Sequence, residues 1–233
     1  RDRRLALLGA HRRGELPAEE LPRDVLTTLL ANQDDLRLPP DALLAAMSAR
    51  RRAQLRQLTA GCITEDKAVA GPFFLAHVRE FLASRGAATL YQFTPATLRY
   101  LLELDNVLVA AYAPGGDVQA VTVLAYTPYG AEYLFNVSVP AGQAYAAALL
   151  WHGALRLQAL GVPWLNLGGG IREGDGVAEF KRRFGAEQRP LPALKQVYDP
   201  AAYQQLCEQA GVPADSNGYF PAYRQRAVAL PLA

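Results

Sequence analysis

Residues 164–185 read WLNLGGGIREGDGVAEFKRRFG. Trp164–Leu167 predicts a strand, Gly168–Gly170 a loop, and Gly176–Phe184 carries the period of a short helix. At about 100° per residue, Val177, Phe180 and Phe184 share one arc of that helix. Lys181 falls in the same arc, while Glu179, Arg182 and Arg183 lie on the other side. A lysine on an apolar stripe has two readings. It snorkels out along its methylenes, or it sits in a cleft and supplies a positive charge at a reaction centre. Glu179 and Arg183, four residues apart, read as an ion pair on a solvated face. A glycine run before a helix lets backbone N–H groups approach a phosphate. Here Glu173 and Asp175 put negative charge at the helix start, and the run matches neither GxGxxG nor a Walker loop.

Upstream, Glu132–Val139 alternates as a strand. Tyr133, Phe135, Val137 and Val139 face one side; Leu134, Asn136 and Ser138 face the other. An alanine-rich helix, Gln143–Leu160, follows and closes with Gly161 and Pro163. A strand–helix–strand crossover therefore joins Glu132–Val139 to Trp164–Leu167, and the two strands are expected to be parallel. In the second strand Asn166 and Gly168 share a face. With the strands as neighbours, Asn136, Ser138, Asn166 and Gly168 are expected to line one polar cleft at their C-terminal ends, where α/β sheets place ligands. The alternative is that each asparagine satisfies a nearby backbone group. Earlier still, Asn106–Ala113 and Val118–Thr127 predict a hairpin about Pro114–Asp117. After the glycine loop come a strand, Leu191–Tyr198, and a helix, Pro200–Ala210. The fold class is α/β: a mixed, mostly antiparallel central sheet with helices on both faces.

Residues 1–38 are charged and punctuated by proline. Leu21–Leu30 reads as a short helix and Asn32–Pro40 as a linker, which makes 1–40 an extension or the remnant of a preceding domain and 41–233 the main domain. A helix is predicted from Pro40 or Asp41 to about Thr59. Leu44, Met47, Leu55 and Leu58 form its stripe, and Arg51 lies within it; Arg50, Arg52 and Arg56 point elsewhere. Guanidinium geometry suits phosphate or carboxylate capture, against the alternative of a solvated basic face.

Composition narrows the function classes. The chain has 233 residues, 51% hydrophobic and 20% charged, with a formal charge of +2. That is ordinary globular composition. It argues against a general electrostatic nucleic-acid binder and leaves room for a local basic patch. Two cysteines, Cys62 and Cys207, exclude a disulfide framework, and the histidines His11, His77 and His152 lack metal-ligand spacing. No G-x-S-x-G elbow and no cysteine–histidine arrangement suggests a covalent mechanism. No apolar run approaches the roughly 18 residues needed to cross a bilayer. A cytoplasmic location is expected.

The apolar strand, the glycine turn and the short helix bearing F-K-x-x-F-G resemble the end of the acyltransferase domain in the Fem family of aminoacyl transferases. They are similar also to the related BioF-like acetyltransferase domains, all with GNAT-like folds. Residues 47–56, MSARRRAQLR, resemble the basic helix that opens such domains. The resemblance runs from about Ser48 to Tyr198. It implies a GNAT-like transferase that moves an acyl or aminoacyl group onto a small or peptide amine, in cell-wall or natural-product peptide synthesis. No permanently bound cofactor is implied. The co-substrate is a charged tRNA, the favoured donor, or acyl-CoA; DNA and a membrane span are not expected. Lys181 matches the lysine linked to transfer. Asn136, Ser138, Asn166, Gly168 and Gly169 are expected to orient substrate, and Arg51 and Arg183 to hold an anionic group. In place of the Q/R-x-x-G-x-G/A pyrophosphate loop stands Pro140–Tyr145, PAGQAY, whose Tyr145 joins the substrate-binding set. That departure lowers the acyl-CoA reading. A non-catalytic binding module, with Lys181 buried against a carboxylate, is the reading from another class.

Overall fold

The computed structural model describes residues 27–56, 62–84, 93–168, 176–193, 195, 197–214 and 220–224, with no side-chain description for 27–35, 177–178 and 187–193. The chain divides into two compact units, Leu30–Arg189 and Arg1–Leu29 with Pro190–Ala233. In chain order the elements are β1 (Thr27–Asp35), α1 (Pro40–Ala46), α2 (Ala49–Arg56), β2 (Ile63–Thr64), α3 (Lys67–Ser84), α4 (Pro95–Glu103), β3 (Val107–Tyr112), β4 (Ala120–Thr127), β5 (Gly130–Ser138), α5 (Ala146–Ala159), β6 (Trp164–Gly168), α6 (Gly176–Arg182), β7 (Glu187–Ala193) and α7 (Pro200–Gln209). Short 310 segments cover Pro140–Tyr145 and Ala222–Arg224.

The strand order is β2-β3-β4-β5-β6-β1-β7. Strands β2 to β5 form an antiparallel run. The crossover through α5 makes β5 and β6 parallel, as the strand–helix–strand order requires. Helices cover both faces. On one, Leu150, Ala154 and Leu157 of α5, Leu43 of α1 and Phe184 after α6 pack with Leu124, Ala131, Leu165 and Leu167 of the sheet. On the other, Phe74 and Val78 of α3 and Leu98 and Leu102 of α4 pack with Val109, Val121, Val123 and Val137. The valine-rich β3 and β4 bury both faces, which is why they read as continuous apolar runs.

Three sequence expectations change. Residues 27–35, read as helix and linker, form strand β1, which pairs antiparallel with β6 (Gln33 opposite Asn166, Asp35 opposite Trp164). Its composition, TTLLANQDD, carries no strand period; the partner edge of β6 imposes the conformation. The helix from Pro40 breaks at Met47–Ser48. Ser48 caps the second piece through Oγ, which accepts the Arg51 N–H at 3.3 Å. Arg52 donates to the carbonyls of Ala45 and Met47, satisfying the end of α1. Finally, strict alternation fails in β5. Val123 stands opposite Phe135 and Leu124 opposite Tyr133, so Leu134 is an extra residue. This β-bulge turns Tyr133 to the α5 face and leaves Phe135 and Val137 on the α3 face.

In the second unit, the α7 residue Tyr203 stacks on Phe220, meets Tyr223 edge-on, and accepts the Ala222 N–H at 2.9 Å. Cys207 is buried there, and both cysteines are free thiols.

Candidate active site

Among the described residues, parallel strands β5 and β6 are partnered only at Ala131–Leu165 and Glu132–Asn166. Beyond that point β5 stays with β4 while β6 stays with β1, so the two strands splay. The splay separates the predicted polar set. Ala131 and Leu165 face α5, so Glu132 and Asn166 face the α3 side. Asn166 donates to Glu132 Oε1 at 3.3 Å, and its Oδ1 accepts the Gly168 N–H at 2.8 Å. Asn136 lies on the α5 face, opposite Thr122, and donates to Thr122 Oγ1 at 2.6 Å. Asn136 and Asn166 thus stand on opposite faces, because the bulge at Leu134 reverses the alternation between them. Gly169 lies outside the described residues.

Lys181 is buried. A methyl group built on Gly168, where φ is +67°, would lie 3.4 Å from Lys181 Nζ. The ammonium therefore stands over the end of β6, at the mouth of the splay. The helix that carries it is held by Arg51, 6% exposed, whose guanidinium lies 4.5 Å from the Phe180 ring centre and 4.4 Å from that of Phe184. Its Nη2 donates to the Phe180 carbonyl at 3.1 Å and its Nη1 to Gln54 Oε1 at 2.6 Å. Arg51 Nε has no hydrogen-bond partner among the described residues. Desolvation, with repulsion from Arg183 and Arg50, pulls this guanidinium down to about 10, with Tyr133 opposing. It remains charged at neutral pH. An opposite charge placed beside a desolvated cation stabilises its charged form.

A cleft of about 670 Å³ is lined by Arg50, Arg51, Ala53 and Gln54 of α2, by Gly176, Glu179 and Phe180 of α6, and by Arg183 and Gln143. Glu179 pairs with Arg182 and, at 2.9 Å, with Arg183, as the i,i+4 spacing predicted. Arg51 and Arg183 are therefore brought together. Replacing Arg51 by methionine, which fills similar volume without charge, is expected to abolish stabilisation by pyrophosphate while the fold persists. Thermal unfolding with and without pyrophosphate measures this, and equal shifts in both proteins would sink the anion site.

Ser138 lies elsewhere, in a second cleft of about 480 Å³ with His77, Glu80 and Phe81 of α3. Tyr145 stacks on Tyr112, ring centres 3.5 Å apart, beside Cys62 and Ile63. Its hydrogen bond, then burial, raises the Tyr112 phenol to about 12. Tyr145 therefore packs near the β2–β3 edge, and Gln143, two residues before it, lines both clefts. Sequence reading missed Gln143, Gln54 and Tyr133. Tyr133 was hidden by the bulge, and the glutamines carry no periodic signal.

The mixed α/β fold is shared with several solved structures. Among solved structures the chain is similar to FemX, with a TM-score of 0.60 and 12% identity over 81% of this chain and 66% of that one, just under two thirds of its length. It is similar also to the C-terminal domain (DUF2156) of a putative lysylphosphatidylglycerol synthetase from Agrobacterium fabrum, at TM-score 0.54 and 17% identity over 86% and 75% of the two chains. A conserved protein of unknown function from Bacteroides thetaiotaomicron aligns at TM-score 0.51 and 11% identity over 80% and 66%. No family model and no curated protein matches the sequence. Among the described residues no helix is long and apolar enough to cross a membrane.

Proposed function

We propose that the chain transfers an activated acyl group, with an aminoacyl-tRNA ester as the favoured donor, onto an acceptor amine by direct attack. The observation that carries this reading is the cleft lined by Arg50, Arg51 and Arg183 against α6, the helix whose Lys181 Nζ reaches Gly168 at the end of β6. The likeness in fold to FemX and to a lysylphosphatidylglycerol synthetase domain supports aminoacyl transfer in cell-wall or lipid synthesis. A tRNA 3′ end brings phosphates to the arginines and an ester carbonyl toward the splay. Guanidinium forks grip phosphate oxygens, and Arg50 and Arg183 line the cleft beside Arg51. Lys181 Nζ, over Gly168, stabilises the oxyanion that forms as the amine attacks. No covalent enzyme intermediate is needed; positioning and charge supply the rate.

Thermal unfolding with a charged acceptor-stem mimic, with acetyl-CoA and with neither tests the donor. A ligand at about 100 times its Kd stabilises by about 2.7 kcal/mol, which raises Tm by roughly 5–10 °C at this size. A shift with the RNA mimic, weakened by salt, is expected. A shift with acetyl-CoA alone replaces the donor by an acyl thioester. No shift with either favours a non-catalytic binding module.

A further inference from the structure

We propose that the second cleft receives the acceptor as a primary ammonium and that His77 takes its proton, a reading that rests on the transferase assignment above. The donor cleft carries three arginines against one carboxylate, Glu179, already paired with Arg183, so its net positive charge disfavours a cation and the acceptor is better served by a separate entrance. The second cleft provides one. It is lined by His77, Glu80, Phe81, Ser138 and Gln143, and Gln143 also lines the donor cleft, so the two approach each other at the end of β5. Glu80 is exposed and stands one turn beyond His77 on α3, where its carboxylate attracts an ammonium.

His77 is set up for the proton. Its Nδ1 lies 2.9 Å from the Phe73 carbonyl, an oxygen that only accepts, so Nδ1 carries the hydrogen. The ring is also stacked on Phe73, centres 4.3 Å apart. In the neutral ring this contact leaves Nε2 as the bare nitrogen, the tautomer a proton acceptor requires. The ammonium gives one proton to Nε2, and the freed amine attacks the acyl carbon. As the C–N bond forms, the C–O bond to the donor (C–S for a thioester) breaks. The second nitrogen proton ends on the leaving atom, and His77 releases its own to solvent.

Two measurements test this. In the first, the His77 ring resonances are followed by NMR during titration with Nα-acetyl-lysine amide, whose side chain ends in a primary ammonium. A saturable shift is expected, absent with the Nε-acetylated form and weakened several-fold in Glu80→Gln. In the second, His77→Asn, which keeps a donor for the Phe73 carbonyl, is assayed with the same amine and with hydroxylamine, which is already a free nucleophile at neutral pH. The variant is expected to lose about a hundredfold or more in kcat with the amine and little with hydroxylamine, and imidazole is expected to rescue His77→Ala. Equal losses with both nucleophiles, or resonances indifferent to the amine, overturn the proposal. A wild-type chain that moves no acyl group from either donor overturns the transferase reading instead.

Discussion

Lys181→Ala is expected to lower transfer by about 10²- to 10³-fold, roughly 3–4 kcal/mol of barrier, with the fold intact. The side chain is 7% exposed, so its ammonium acts in a site that largely excludes water, where a fixed positive charge stabilises a developing oxyanion far more than it would in bulk. Its stem comes from the α6 face that packs Phe180 and Phe184, and its Nζ ends beside Gly168. Lys181→Met keeps the apolar stem and removes only the charge. The two variants are expected to lose similar activity, while Met unfolds closer to the wild-type temperature. Comparing kcat with Tm for both separates charge from packing. Near-wild-type turnover in either variant would end the assignment of Lys181 to the chemistry.

Gly185→Ala is expected to carry the largest stability loss, about 2–4 kcal/mol. Gly185 closes the F-K-x-x-F-G motif with φ at +80°, a conformation that costs an L-residue about 1–2 kcal/mol. A methyl group built there would lie 2.7 Å from the Ala46 carbonyl oxygen, and backbone does not yield as a side chain does. The glycine thus lets the end of α6 nest against the end of α1. Next to it the Ser48 N–H donates to the Arg183 carbonyl at 3.1 Å. The substitution should lower Tm by roughly 5–15 °C, and it should weaken pyrophosphate binding, since Arg183 and Arg51 line one cleft. A wild-type melting temperature would show that the two helix ends part at no cost.

The fold was largely legible because its inner strands and its long helix carry unambiguous periods. The valines of β3 and β4 and the alanine-rich α5 need no tertiary context to be read. Lys181 and Arg51 were legible for a related reason: each is a charge where periodicity asks for an apolar side chain, and the structure buries both. What escaped was decided by partners rather than by local pattern. β1 is a strand only because β6 presents an edge to it. The bulge at Leu134 arises from pairing with β4, and one inserted residue sent Asn136 to the face opposite Asn166. The predicted single polar cleft is therefore divided three ways: Asn166 and Gly168 by Glu132, Asn136 on Thr122, and Ser138 in the second cleft. His77 lacked metal spacing, and its value emerges only from the Phe73 carbonyl beneath it.

The pairing of β1 with β6 also has a kinetic consequence. Asn32 meets Gly168 across well over a hundred residues of chain. On a ribosome the first strand emerges long before its partner exists, while β3, β4 and β5 close through short turns as soon as they are made. The edge of β6 away from β5 is thus covered by a strand made long before it. Lys181 itself is synthesised only after β6, the strand whose end it reaches, and before β7, which completes the sheet.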